Sequence, residues 1–320
     1  MIRYILQRIG LMIVTAAIIT TIVFIMIKLM PNYNKPQLGV DPAQWEIVQE
    51  REGYNKPIPE QYAKWLKNVF TDFNLGYSRT YDTGTTEIMK VRIPVSVRVN
   101  IFPFFISIPI GFALGMWAAL RKNKVDDHLI SFGVIFFISV PSFVVGTLLQ
   151  YYFGYVFTDW DLQPLFAAKV DIAEDPSLLW KSLVLPVAAM TAGSIAGLTR
   201  YTRAELTEVL TSEFMLLCRT KGLSRRQSTV RHAMRNSMVP LAPMIIGGLI
   251  SILSGSLIIE RIFRIQGIGG IYLEAFQARD YDLVMTLLLF YMVIGLLTTL
   301  MIDISYSIVD PRIRLGGGKK

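Results

Sequence analysis

The chain has 320 residues, of which 52% are hydrophobic, with a positive mean hydropathy and a formal net charge of +8. Several runs of about twenty apolar residues are each long enough to cross a bilayer core of roughly 30 Å, which excludes an ordinary soluble domain. Cys218 is the only cysteine, so no intrachain disulfide can form, and His128 and His232 stand far apart in sequence, which argues against a His/Cys metal cage.

The first segment, MIRYILQRIG, carries Arg3 and Arg8 and leads into an almost wholly apolar run from Ile9 to Met30. A secretory signal peptide has a shorter apolar core and a small-residue cleavage site, so this run is read as a retained first span. Lys28 snorkels to the far interface. Residues 31–93 are polar and balanced in charge, with Pro31, Pro36, Pro42, Pro57 and Pro59 and two tryptophans, Trp45 and Trp65. Pieces around Trp45 and from Glu60 to Phe70 fit short amphipathic helices in an outer segment packed on the spans.

A second span, about Val95 to Leu120, holds Pro103, Pro109 and the pair Gly111 and Gly115, whose spacing permits close helix approach in membranes. Arg98 sits at its outer edge. RKNKVDDH (121–128) is a short basic loop, a third span covers about Leu129 to Phe157, and a loop with Asp159, Asp161, Asp171, Glu174 and Asp175 follows. The fourth span, about Leu183 to Leu198, is the least apolar. Its small residues Ala188, Ala189, Gly193, Ala196 and Gly197 place it among other helices rather than against lipid.

Arg200 to Pro240 is a polar, basic island between apolar segments. Its first half puts Leu206, Val209, Leu210, Phe214 and Leu217 on one helical stripe. Glu205 and Glu208 near the start, with Arg219 and Lys221 at the end, suit the helix dipole. Gly222 supplies a left-handed stop, with Leu223 folding back on the last turn, and Cys218 is a small apolar filler. Ser224 and Gln227 have capping-box spacing. They start a second helix with Val230, Ala233 and Met234 on one side and Arg225, Arg226, Arg231 and Arg235 around the rest, and Pro240 marks its end or a kink. By pattern alone, this hairpin is either a solvated connection or a docking element at a membrane surface.

A fifth span, about Val239 to Ile259, an outer segment over 260–282, a sixth span, about Leu283 to Tyr306, and the tail DPRIRLGGGKK complete the chain. The expected division is 1–30 (N-terminus and first span), 31–93 (extracytoplasmic), 94–306 (core, with a cytoplasmic loop at 200–238) and 307–320 (tail). Basic residues collect in the first segment, the 121–128 loop, the hairpin and the tail, so both termini and the hairpin are expected in the cytoplasm.

The order RYTRAELTEVLTSEF, RTKGLS, RHAMRNSMVP resembles the cytoplasmic loop of permease subunits from ATP-binding-cassette importers, in the dipeptide/oligopeptide/nickel branch. MIRYILQRI, QYAKWLKNVFTDFNLGYS, ERIFRIQGIGG, GIYLEAFQARDY and DPRIR are similar to that branch as well, although Gln266 stands where the family usually has proline. The likeness is nearly end to end and strongest to the B-type subunit of oligopeptide permeases. Leu216, Leu217 and Cys218 occupy positions that are usually small in the peptide branch, and Phe214 matches an aromatic found a little earlier.

The resemblance implies an all-α integral membrane protein with six transmembrane helices, both termini cytoplasmic, and a type I importer permease fold in the cytoplasmic (inner) membrane of a prokaryote. It implies a transport subunit, not an enzyme, that forms half of a pathway for peptides. The implied partners are a second homologous permease, two ATP-binding-cassette ATPase subunits, an extracytoplasmic peptide-binding protein and membrane lipid, with no nucleic acid. No G-x-x-x-x-G-K-S/T phosphate loop is present, so energy must arrive from separate subunits. No metal or cofactor is expected in this chain, and ATP and Mg belong to those partners. Glu213, Phe214, Leu217, Arg219, Lys221, Gly222 and Ser224 are the implied docking residues. Asn100, Ser139, Ser142, Gln150, Ser251 and Ser254 lie in or near spans, where they either line a substrate path or bond between helices.

Other classes fit less well. Channels and ion-coupled carriers usually hold ionisable groups deep in spans, whereas Lys28, Arg98, Lys181 and Asp303 sit near edges. A nucleic-acid reader built on the basic helix 225–238 would lack the usual three-helix core. Neither H-E-x-x-H nor G-x-S-x-G occurs, which argues against catalysis.

Overall fold

The computed structural model describes residues 2–30, 46–47, 50, 53 and 55–309. The helix expected around Trp45 and the tail DPRIRLGGGKK lie outside the described residues. Among those described, five helices are long and apolar enough to cross a membrane, or six if one bent pair counts as a single span.

The apolar N-terminal run forms α1 (Ile2–Lys28). Helix α2 (Ile58–Asp72) starts behind Pro57, where a missing N–H costs nothing, carries Glu60 in its first turn, and stops at Phe73 in the left-handed region (φ 50°). A two-stranded antiparallel ribbon pairs β1 (Tyr77–Ser78) with β2 (Thr83–Gly84). It leads directly into α3 (Thr85–Leu120), so this helix begins ten residues before the second span read from hydropathy.

The third span is broken. Helix α4 (Val125–Ser139) ends before Pro141, and α5 (Ser142–Tyr151) continues through a π turn at Tyr152–Val156. Proline lacks an N–H and disfavours helix in the residue before it, so Val140 is extended (φ −85°, ψ 118°) and the two halves are bent by 91°. A short α6 (Lys169–Glu174) follows. The fourth span proves to be the middle of one 35-residue helix, α7 (Ser177–Thr211), that absorbs the first half of the expected hairpin. Then come α8 (Glu213–Thr220), α9 (Arg225–Ser228), a π turn (Thr229–Ala233) and α10 (Met234–Ser251), which runs through Pro240 and Pro243 without ending. A 3₁₀ turn (Ile252–Ser254) and Gly255 separate α10 from α11 (Leu257–Ile262). Last are α12 (Ile268–Gln277) and α13 (Tyr281–Val309).

The chain divides into two compact units. One comprises Val95–Gly270 with the chain from Leu297 onward. Its larger core gathers Val99, Leu183, Leu185, Ala189, Ile259, Phe263 and Ile265, and a smaller one gathers Ala119, Leu206, Met215 and Ala233. Gly111 and Gly115 set the approach of α3 to α7. A β-carbon on Gly111 would lie 2.8 Å from Leu198 Cβ, and one on Gly115 would lie 2.5 Å from Thr202 Cβ and 2.8 Å from the Thr199 carbonyl. Without a solvent-driven force between helices in lipid, such backbone proximity supplies the dispersion that holds them. The expected close approach is thus realised; of the small residues expected to be buried in α7, Ala189 and Ala196 are buried and Gly193 and Gly197 half-buried, but Ala188 is exposed.

The other unit comprises Ile2–Pro94 and Ile271–Leu296. Phe24 of α1 meets Tyr62 and Trp65 of α2 at ring separations of 5.1 and 5.5 Å, and the Thr21 and Tyr62 hydroxyls are 2.8 Å apart. Asp280 accepts from Ser78 Oγ at 2.5 Å and from the Thr80 N–H at 3.0 Å, while Thr286 Oγ1 donates to Thr85 Oγ1 at 2.9 Å. Beside the ribbon, Tyr81 donates to Glu274 Oε2 at 2.8 Å. Burial, reinforced by that bond, pushes its phenol up to about 12.

Candidate functional site

The hairpin is built by a break that its sequence hides. At Ser212 the backbone turns extended (φ −72°, ψ 154°) and the side chain donates to the Val209 carbonyl at 2.7 Å, so α8 leaves on a new axis. The single stripe expected from Leu206 to Leu217 therefore does not persist. Leu206 is buried with Val209 and Leu210 beside it, but Phe214 and Leu217 are 42% and 51% exposed, and Met215 and Cys218 turn inward instead. Glu205 and Glu208 fall in the last turns of α7, not near a helix start, where the dipole does not favour them. Glu213 in the first turn of α8 and Arg219 in its last do match the dipole.

The stop and restart follow the sequence closely. Gly222 adopts φ +83°, and the Leu223 N–H reaches the Cys218 carbonyl at 3.3 Å while the Gly222 N–H reaches that of Arg219 at 2.9 Å. These two bonds are the Schellman pattern, which caps carbonyls left open by the helix end. Ser224 Oγ accepts from the Gln227 N–H at 3.3 Å, and Gln227 Oε1 accepts from the Ser224 N–H at 3.1 Å, completing the capping box. The next turns differ from expectation. Val230 is 57% exposed, and Ser228, Thr229 and Ala233 are buried. The π turn adds a residue to the repeat and rotates the inward face. Thr229 and Ser228 satisfy their hydroxyls on the Arg225 and Ser224 carbonyls, both at 2.9 Å. Arg225, Arg226, Arg231 and Arg235 are exposed.

The result is a firm base carrying an exposed tip. Met215 and Ala233 pack with Ala119 and Leu206, and Phe214 meets the His232 ring edge-on at 5.7 Å. Glu213, Phe214, Leu216, Leu217, Arg219, Lys221, Gly222 and Ser224 are all exposed. A second support was not legible: Asp127 at the start of α4 is buried and receives Arg203 Nε at 2.5 Å and Nη2 at 2.8 Å from α7.

The same unit contains a cleft of about 510 Å³ between α3, α7, α10 and the Ile252–Ser256 break, with no charged residue in its lining. It brings together Asn100, Ser251 and Ser254 from the sequence-based set and adds Ser107, Ser194, Gly197 and Ser256. Asn100, Phe104 and Ser107 recur at helical spacing, a signal that was readable. Ser139, Ser142 and Gln150 are not in this lining. The two serines flank the Pro141 bend, and Gln150 Nε2 donates to the Pro164 and Ile262 carbonyls at 2.6 and 3.0 Å, a structural role.

Behind the break lies Glu260, 1% exposed. Its carboxylate accepts from Ser96 Oγ at 2.7 Å, the Gly270 N–H at 2.9 Å and the Ser256 N–H at 3.2 Å, and Ser96 Oγ in turn accepts from the Ile268 N–H at 2.8 Å. A β-carbon on Gly267 would overlap both Ser96 Oγ and Glu260, and one on Gly269 would meet the Leu257 backbone at 2.7 Å. Gly267 is thus required by this clamp, and Gly269 by the Leu257 backbone packed against it. Among the described residues, no three His, Cys, Asp or Glu side chains form a metal site.

Residues 111–315 match the family described as binding-protein-dependent transport system inner membrane component, and residues 1–100 match the N-terminal model of such membrane components. The chain is 34% identical over 318 residues to the dipeptide transport system permease protein DppB of Lactococcus lactis, covering 98% of this chain and 100% of that protein. DppB of Bacillus subtilis is 32% identical over 321 residues, covering 98% and 99%. The oligopeptide transport system permease protein OppB of Escherichia coli is 29% identical over 323 residues, covering 98% and 100%.

Proposed function

The chain belongs to the family of inner membrane components of binding-protein-dependent transport systems, and from that premise we propose that it forms half of an ATP-driven import pathway for peptides. It is a membrane transport subunit and not an enzyme. In the proposed assembly a second, homologous permease supplies the other half, and two separate ATPase subunits use ATP and Mg. An extracytoplasmic binding protein delivers the peptide. Both termini and the hairpin lie in the cytoplasm, in keeping with the basic residues at those faces.

The observation that carries the coupling assignment is the hairpin tip. Phe214, Leu216 and Leu217 are 42%, 60% and 51% exposed, flanked by exposed Arg219 and Lys221, on a base fixed by a buried cluster. Fully burying one such apolar side chain contributes roughly 1.5–3 kcal/mol, so three on a rigid support suit a groove on a partner. The tip is also mechanically connected. Helix α7 carries Ser194 and Gly197 on the cleft wall and ends at the hairpin, and α10 carries Ser251 and begins just past it. Rigid displacement of the tip by the ATPases would move two walls of the cleft, a two-state rearrangement of the hinge or shear kind.

The test is co-purification of the tagged chain from mild-detergent extracts, followed by ATP-dependent uptake. Leu216→Asp with Leu217→Asp should abolish recovery of the ATPase subunits while the permease stays folded. Gly222→Val imposes left-handed strain on a non-glycine residue and should lower uptake without unfolding the spans. Undiminished ATPase recovery with the first variant, or wild-type uptake with the second, would sink the coupling assignment.

A further inference from the structure

Inside the cleft, the polar groups have an uneven sense. Ser107, Ser194 and Ser251 each donate their hydroxyl proton back to a carbonyl of their own helix, at 3.1, 3.0 and 2.8 Å. What they turn to the cleft is therefore lone-pair capacity. Asn100 spends both amide protons, on the Ser96 carbonyl at 2.9 Å and the Ile252 carbonyl at 3.3 Å, which leaves Oδ1 as the open end of its amide.

Gly255 extends the pattern to the main chain. It lines the cleft with no side chain, at φ +69° and ψ 176°, so what it presents is backbone. The direction a β-carbon would take is filled by Glu260 Oε1 at 2.6 Å and Ser96 Oγ at 3.0 Å. Among the described residues, no hydrogen bond reaches the carbonyls of Ser254 or Gly255. Non-helical backbone at membrane depth is tolerated where it lines a water-filled cavity. Among the described residues, the lining leaves uncommitted protons on the hydroxyls of Ser254 and Ser256 and on the Gly255 N–H, fewer than its open acceptors on Asn100, Ser107, Ser194, Ser251, Ser254 and Gly255, and no charge is present.

We propose that this cleft binds the main chain of an extended peptide, its acceptor-rich wall at Asn100, Ser251, Ser254 and Gly255 taking the peptide's N–H groups. An uncharged wall of acceptors favours a ligand that presents donors at regular intervals and penalises none of its side chains by charge. Peptide backbone has that chemistry whatever its sequence. The inference rests on the peptide-import reading and specifies which groups of the cargo are held and where.

The experiment uses the complete transporter with its binding protein in proteoliposomes. The permease carries Cys218→Ala together with Ser194→Cys, or with Ser142→Cys at the Pro141 bend as control. The probe is the peptide Ala-Ala-Ala-Lys with a bromoacetyl group on the lysine side chain, compared with the same peptide N-methylated on two internal main-chain nitrogens. Both are preloaded on the binding protein and loading is verified by mass, so that delivery is equal. ATP-dependent alkylation should appear at position 194 and not at 142. It should fall about fivefold or more with the N-methylated probe, the size expected from one net hydrogen bond unmade.

Equal alkylation by the two probes would overturn main-chain recognition. Import of the unlabelled peptide with no adduct at 194, or with equal adducts at 142, would remove the cleft from the path and leave peptide import standing. No ATP-dependent import of Ala-Ala-Ala-Lys by the wild-type complex would overturn the peptide reading itself.

Discussion

Replacing Arg203 with methionine removes a forked contact while preserving most of the side chain's length. Asp127, 1% exposed, would keep only the Asn123 N–H at 2.9 Å and a long bond from Ser131 at 3.4 Å. Breaking a fully buried pair from one side costs about 3–5 kcal/mol, and an exposed pair is worth about 1 or less. The arginine side chain is 33% exposed, so solvent already screens part of the attraction. A loss of about 2–3 kcal/mol is therefore expected for Arg203→Met. Asp127→Asn keeps the shape and one acceptor and should cost about 1–2 kcal/mol.

The double variant no longer strands a buried charge, so it should be less harmful than the sum, with a coupling of at least about 1 kcal/mol. Thermal unfolding of the purified chain in detergent, followed by tryptophan fluorescence, would read Arg203→Met as a drop of about 5–10 °C. Because α7 continues into the hairpin, uptake at growth temperature should fall in parallel. Strictly additive single effects, or a drop under about 2 °C, would refute the idea that this pair ties α4 to α7.

Gly115→Val should cost about 1–3 kcal/mol or more by forcing α3 off Thr202 and the Thr199 carbonyl, whereas Gly133→Ala, with nothing within 4 Å of the new β-carbon, should be neutral or slightly stabilising; the same melt compares them. Ser96→Ala removes the acceptor of the Ile268 N–H and a donor to Glu260, and should lower stability by about 1–3 kcal/mol. Glu260→Gln turns an amide NH₂ toward donors and should cost a similar amount, with the double variant less than additive. Tyr81, held protonated up to about 12, contributes stability that is whole below the ordinary phenol value of about 10 and is lost as pH rises through 12. An ultraviolet tyrosinate titration should show a late step that Tyr81→Phe removes, and no such step would contradict the partial burial and the Glu274 bond that together hold the phenol protonated.

Much of the hairpin was legible because its signals are local. Gly222, Ser224 and Gln227 act within one turn of themselves, and their stop, cap and restart form where the residue types place them. Gly111 and Gly115 were legible for a similar reason, since close packing in a membrane selects small residues at a fixed spacing. The inward face of the hairpin was not. Periodicity assumes an uninterrupted helix, and Ser212 interrupts it in a run, LTSEF, that suits a helix interior as well as a helix start. Once α8 takes a new axis, Phe214 and Leu217 move from core to surface, and that is what makes them available to a partner.

The cleft was legible only in part, for a physical reason that its own geometry supplies. A helix that breaks in a membrane leaves carbonyls and N–H groups that lipid cannot satisfy. The break at Ile252–Ser256 is tolerable because Glu260 takes the Ser256 N–H and Asn100, from α3, takes the Ile252 carbonyl. Asn100 lies 152 positions from its partner, and Ser96 lies 164 from Glu260. No window of sequence contains both ends of such a bond, so the chain reads as an apolar fifth span followed by a glycine-rich loop. The residues that hold the break are also the ones that fix where bare backbone meets the cleft. Gly255 lines the cleft because the side where a side chain would go is already occupied by Glu260 and Ser96. The buried acid thus positions Gly255 at the cleft, and among the described residues it is held there by the Ser96 hydroxyl and the Ser256 and Gly270 N–H groups rather than by a cation.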